Sequence, residues 1–100
     1  MPLKITYWTA SRWNPNIPGA AISNESVTIS GTSAQSGATP ANAVFVSIRS
    51  TDSSDINYIY NSANPTALAA GGLDHAGIGY GERLWEDAIP NFKIAGITAS

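Results

Sequence analysis

The chain contains no cysteine, so neither a disulfide framework nor a thiolate metal site exists. It contains one histidine, His75, and a single imidazole makes a poor metal site. Charge is scarce as well. Charged residues make up 12% of the chain and the net charge is −2, against a usual charged share of about 25%. Nucleic acid wants a basic surface, so no nucleic-acid partner is expected. No apolar run approaches the ~20 residues of a membrane span, so no membrane partner is expected either. The opening "LKITYW" is too short and too mixed for a signal peptide. The protein is expected to be made and used without an export signal of its own.

What is present points to a folded domain. Hydrophobic residues make up 43%, with 9% aromatic, which is too apolar for a solvated, disordered chain. One hundred residues make one domain. A chain of this size buries roughly 60–65% of its unfolded surface, so the core is modest. A partner or a homo-oligomer is expected to add stability. With so few charges the surface must be built from Ser, Thr, Asn, Gly and Ala. Such a surface packs against other proteins at little desolvation cost.

Period-two alternation marks the strands. "LKITYW" sets Leu3, Ile5 and Tyr7 against Lys4, Thr6 and Trp8. "TASRWNPNIPGAA" follows, and its Pro15, Pro18 and Gly19 predict an irregular loop or arm over 9–24. "ESVTISGT" carries Val27 and Ile29 in alternation. Residues 33–42 read as a connection. "AVFVSIRS" sets Val44, Val46 and Ile48 on one face and Phe45, Ser47 and Arg49 on the other. "INYIYN" sets Ile56, Tyr58 and Tyr60 against Asn57, Ile59 and Asn61. "TALAA" offers one helical turn, stopped by Gly71 and Gly72. A short extended piece is expected around Ile78 and Tyr80. "RLWED" reads as a strand, "AIPN" as a turn and "FKIAGITA" as the closing strand. The sum is an all-β fold: a small antiparallel β-sandwich, jelly-roll-like, or a barrel, with an extended N-terminal arm. Residues 1–24 form the N-terminal strand and Pro-rich arm, and 25–100 the sandwich.

Catalytic constellations are hard to assemble from these residues. Glu86 and Asp87 are strand neighbours and point to opposite faces. Glu82 and Glu86 share a face but lie roughly 13 Å apart on a strand, beyond even the ~6.5–9.5 Å of an inverting glycosidase pair. They read as solvated strand-edge charges, which also deter edge-to-edge aggregation. Asp74–His75 lacks a nucleophile pattern, and His75 reads as a loop or interface histidine. "DSSD", with Asp52 and Asp55, supplies too few oxygens for calcium and reads as turn chemistry. "GIGYGE" lacks the βαβ context of a dinucleotide site. No enzyme activity, metal or cofactor is expected.

The aromatic residues carry the binding candidates. Trp8 and Trp13 bracket the Pro-rich segment. Trp8, Trp13, Asn14, Pro15, Ile17 and Pro18 form the expected partner-binding set, because exposed apolar segments of this kind have partners. A second candidate is a glycan platform of Tyr58, Tyr60 and Trp85, with Asn57 or Asn61 beside it.

The stretches "VTISGTSAQSGATPANAVFVSIRST", "YIYNSANPTA", "GERLWEDAIP" and "KIAGITAS" together resemble a group of small tailed-phage virion proteins of β-sandwich type. The resemblance covers about three-quarters of the chain, from about Val27 onward. It implies a capsid decoration, or cement, protein on the outer surface of a phage head. Its implied partners are the major capsid protein or other virion proteins. It would assemble in the host cytoplasm and reside in the virion. Two alternatives stand beside it: a neck, tail or fibre component, and a carbohydrate-binding β-sandwich module.

Overall fold

A computed structural model describes residues 2–51, 54–72 and 74–99. Eight strands run in chain order: β1 (Pro2–Ala10), β2 (Pro18–Thr28), β3 (Ala34–Gln35), β4 (Phe45–Ser50), β5 (Ile56–Ser62), β6 (His75–Ile78), β7 (Arg83–Asp87) and β8 (Lys93–Thr98). They form two antiparallel four-stranded sheets, ordered β2-β1-β4-β7 and β3-β8-β5-β6. The all-β expectation holds, as a sandwich of two open sheets rather than a closed barrel. Every connection crosses between sheets except the hairpins β1–β2 and β5–β6.

Alternation fills the space between the sheets. Leu3, Ile5 and Tyr7 of β1 and Val46 and Ile48 of β4 meet Ile56, Tyr58, Ile78 and Ile94 of the second sheet. Val27, Ile29 and Ala43 complete the cluster. Full burial of each such side chain is worth about 1.5–3 kcal/mol. Gly96 lies in this layer, where a Cβ would stand 2.8 Å from Ile29 Cδ1 and 3.4 Å from Leu3 Cδ2. Val44 does not join the layer that the alternation assigned it to. It sits just before β4 and is 42% exposed.

The second sheet has a core on its other face too. Ile59, Ala95 and Ile97 pack with Ala67 and Ala69 from the segment 63–72. This segment is a strap held by side chains. Gln35 Nε2 donates to Pro65 O at 2.7 Å, Asn57 Nδ2 to Ala69 O at 3.0 Å, and Ala67 N to Ser33 Oγ at 2.9 Å. The expected helical turn in "TALAA" does not form. A single tight turn stands in its place, closed by Gly71 N donating to Leu68 O at 2.9 Å.

Turn chemistry follows the residues. Pro90–Asn91 makes the turn closed by Phe92 N to Ile89 O at 3.1 Å, with Asn91 at φ 70. That pairing, Pro at i+1 and a left-handed residue at i+2, defines a type II turn. Gly81, at φ 80, does the same between β6 and β7, where Glu82 N donates to Gly79 O.

The irregular reading of 9–24 is corrected. β1 runs on to Ala10 and β2 starts at Pro18, so only residues 11–17 are irregular. The N-terminal segment is no free arm. β1 lies between β2 and β4, and its Leu3, Ile5 and Tyr7 are core. Proline is tolerated at Pro18 because it opens an edge strand. The "DSSD" turn falls partly outside the described residues, since Asp52 and Ser53 are not among them.

Candidate functional site

The β1–β2 hairpin outruns its neighbour. β1 pairs with β4 as far as Trp8↔Phe45, but with β2 as far as Ala10↔Pro18. The loop at its end is ordered by its own polar groups. Ser11 N donates to Ile17 O at 2.8 Å, and Ile17 N to Asn14 O at 3.2 Å. Asn14 Oδ1 accepts from Asn16 N at 2.9 Å, the local Asx bond that makes Asn a turn residue. Ser11 Oγ accepts from Trp13 N at 3.2 Å. Behind the loop the strands come unusually close at Gly19, where a Cβ would sit 2.5 Å from Ala10 O.

This frame leaves Trp13 88% exposed and Ile17 48% exposed. Arg12 covers one side of the indole, its guanidinium 5.8 Å from the ring centroid. Of the expected partner-binding set, Trp13, Asn14, Pro15 and Ile17 therefore share one loop. Pro18 begins β2. Trp8 is elsewhere, on the outer face of the first sheet. There its Nε1 donates to Ser47 Oγ at 3.0 Å, and its ring packs on Trp85 with centroids 5.7 Å apart. Arg12 is the loop residue that the sequence reading passed over. Its place beside Trp13 in the sequence was the available signal.

The structure does not bring Tyr58, Tyr60 and Trp85 together. Tyr58 is 1% exposed between the sheets. Tyr60 faces Phe92 edge-on at 6.1 Å, and its hydroxyl accepts from Ile89 N at 2.8 Å and meets Thr39 Oγ1 at 2.7 Å. Trp85 lies on the far side of the other sheet. Asn57 and Asn61 are likewise engaged, with Ala69 O and Asp74 Oδ2.

The acidic residues serve separate purposes. Glu82 Oε1 accepts from Gly79 N at 2.6 Å and braces the Gly81 turn. Glu86 is not a solvated edge charge. It faces inward and accepts from Tyr58 OH at 2.8 Å. Glu25 accepts from Tyr7 OH at 2.9 Å and from Gly37 N at 2.7 Å. Burial first, then the hydrogen bond to a carboxylate and its charge, push both phenols well above their ordinary range. His75 Nδ1 lies 3.2 Å from Asp74 Oδ1, while Nε2 accepts the Leu68 amide at 3.0 Å. With Nε2 occupied by backbone, the pair latches the strap to β6. Among the described residues no cluster of three or more metal-ligating side chains forms. Comparison with protein-family models, with curated proteins and with solved structures finds no match.

Proposed function

We propose that the chain is a non-enzymatic attachment module of a multi-copy assembly, namely a virion structural protein of the capsid-decoration type. The observation that carries the reading is Trp13, 88% exposed on a loop ordered by its own hydrogen bonds. Holding a tryptophan in water gains the fold nothing. Presented on a preorganised loop, it becomes a low-entropy anchor for a protein pocket. Ile17 beside it enlarges the apolar contact, and Asn14 fixes the loop shape. The partner in this reading is the major capsid protein or another virion protein, met by many copies of the chain. The sparse charge of the surface suits repeated contacts.

The test is quantitative mass spectrometry of purified particles from the source, followed by rebinding of Trp13→Ala to stripped particles. Hundreds of copies per particle and loss of rebinding are expected. A few dozen copies or fewer would move the protein to the neck, tail or fibres. Absence from particles would end the virion reading.

A further inference from the structure

Three of the five basic residues stand side by side on the outer face of the first sheet. Lys4 of β1 is opposite Arg49 of β4, and Arg49 is opposite Arg83 of β7. All three side chains are exposed. Among the described residues the only ion pair is Asp74–His75, so none of their carboxylates pairs with this row. Like charges directly opposite one another weaken a sheet. Three of the seven acids are meanwhile committed elsewhere: Glu25 to Tyr7, Glu86 to Tyr58 and Glu82 to the Gly79 amide. The fold itself therefore gains nothing from three adjacent cations.

An aromatic patch adjoins the row. Two positions along each strand, Thr6, Ser47 and Trp85 follow Lys4, Arg49 and Arg83 in register. Two further on come Trp8, Phe45 and Asp87. Trp8 leans onto Trp85, and Trp85 is 45% exposed. Arginine and tryptophan are the residues most enriched at protein-binding hot spots. Arg49 and Arg83 can each take a carboxylate through two parallel N–H bonds.

We infer that this face binds a short carboxylate-rich segment of a protein partner. Charge complementarity fixes the sign of the occupant, and the geometry fixes its class. Neighbouring strands lie about 4.8 Å apart, so the three charged heads cover roughly 10 Å. That span matches a few side chains of a peptide and falls short of a track along a nucleic-acid backbone. Asp87 closes the far end of the same face, where it repels a uniform polyanion. A peptide with its acids clustered at one end avoids Asp87 while its apolar part covers Trp85. The inference is independent of the virion reading and of the Trp13 loop.

The test is an NMR titration of the intact ¹⁵N-labelled chain. The probe is an acetylated, amidated triglutamate peptide, with decathymidylate as the comparison ligand. The amides of Lys4, Arg49 and Arg83 and the indole N–H of Trp85 are expected to shift with triglutamate. The response should weaken as added salt shortens the screening length. It should vanish in Lys4→Gln/Arg49→Gln/Arg83→Gln and persist in Trp13→Ala. If the triple variant does not fold, Arg49→Gln alone is expected to weaken the response several-fold, since it removes the central cation. Absence of these shifts, or shifts that survive loss of the cations, overturns the assignment. Tighter binding of decathymidylate than of triglutamate overturns it in favour of nucleic acid.

Discussion

Tyr58 on β5 donates to Glu86 on β7 at 2.8 Å, a bond that ties one sheet to the other. Tyr7 on β1 makes the same kind of bond to Glu25 on β2. In both, burial and the neighbouring carboxylate hold the phenol protonated well past its ordinary range. An unfolded chain releases these protons near pH 10. The folded-state values are raised, so the stabilisation is complete below about pH 10 and is lost as the pH climbs further. Thermal unfolding followed from pH 8 upward should therefore show stability falling above pH 10. The double variant Tyr7→Phe/Tyr58→Phe should flatten that fall. An unchanged fall would remove the tyrosines as its source. At neutral pH, Glu86→Ala should cost about 1–3 kcal/mol, because it strands a buried hydroxyl.

The hairpin loop and the strand beneath it should respond differently to change. Trp13→Ala alters an exposed side chain, so its stability should stay within about 0.5 kcal/mol of the parent. Removal of residues 1–18 is a different matter, because it takes out β1 from the middle of its sheet. The truncated chain should give the narrow amide dispersion of an unfolded protein. A dispersed spectrum would show that β2 and β4 close the gap without β1.

Gly96 has no room for a branched side chain. Gly96→Val would place atoms against Ile29 and Leu3 in a filled layer, and overpacking of this kind costs about 1–3 kcal/mol. Chemical denaturation should show the midpoint falling with little change in slope. Gly96→Ala should cost less, since the nearest atom, Ile29 Cδ1, is the end of a side chain that can turn aside.

One of the bonds that hold the strap over the second sheet is the Leu68 amide donating to His75 Nε2. His75→Ala should leave that amide without its partner. Hydrogen exchange at Leu68 should rise about tenfold, the equivalent of about 1.4 kcal/mol for one lost bond, while exchange in β4 stays unchanged. Global acceleration instead would mean that the strap and the sheets unfold as one unit.

β1, β4 and β5 were legible because apolar and polar residues alternate along much of each. Leu3, Ile5 and Tyr7 in β1, and Ile56 and Tyr58 in β5, stand in the layer their alternation assigns. β2 was not legible across 18–24. "PGAAISN" has no apolar alternation, and its extended shape comes from pairing with β1. Ile59 was placed on a polar face, yet it is buried beneath the strap, because Ala67 and Ala69 return to cover it. At the candidate site, the exposed loop around Trp13 was legible from Pro15, Pro18 and the crowding of aromatics. The separation of Trp8 from that loop was not, since it depends on where β1 ends. Nor was the row Lys4, Arg49 and Arg83. Those residues are distant in the chain, and only strand order and register make them neighbours.

The central position of β1 also bears on how the chain folds as it is made. β1 is synthesised before the other seven strands, and β2 can pair with it at once as a hairpin. Its other neighbour, β4, begins only at Phe45. At about 5–20 residues per second, the hairpin waits a few seconds for that strand. Through that interval Leu3, Ile5 and Tyr7 have no opposite sheet to cover them. The small, polar residues of β2 limit the risk, since they leave the hairpin's outer edge poor in apolar surface. Closure then requires β8, so the sandwich completes only after the other seven strands have been made.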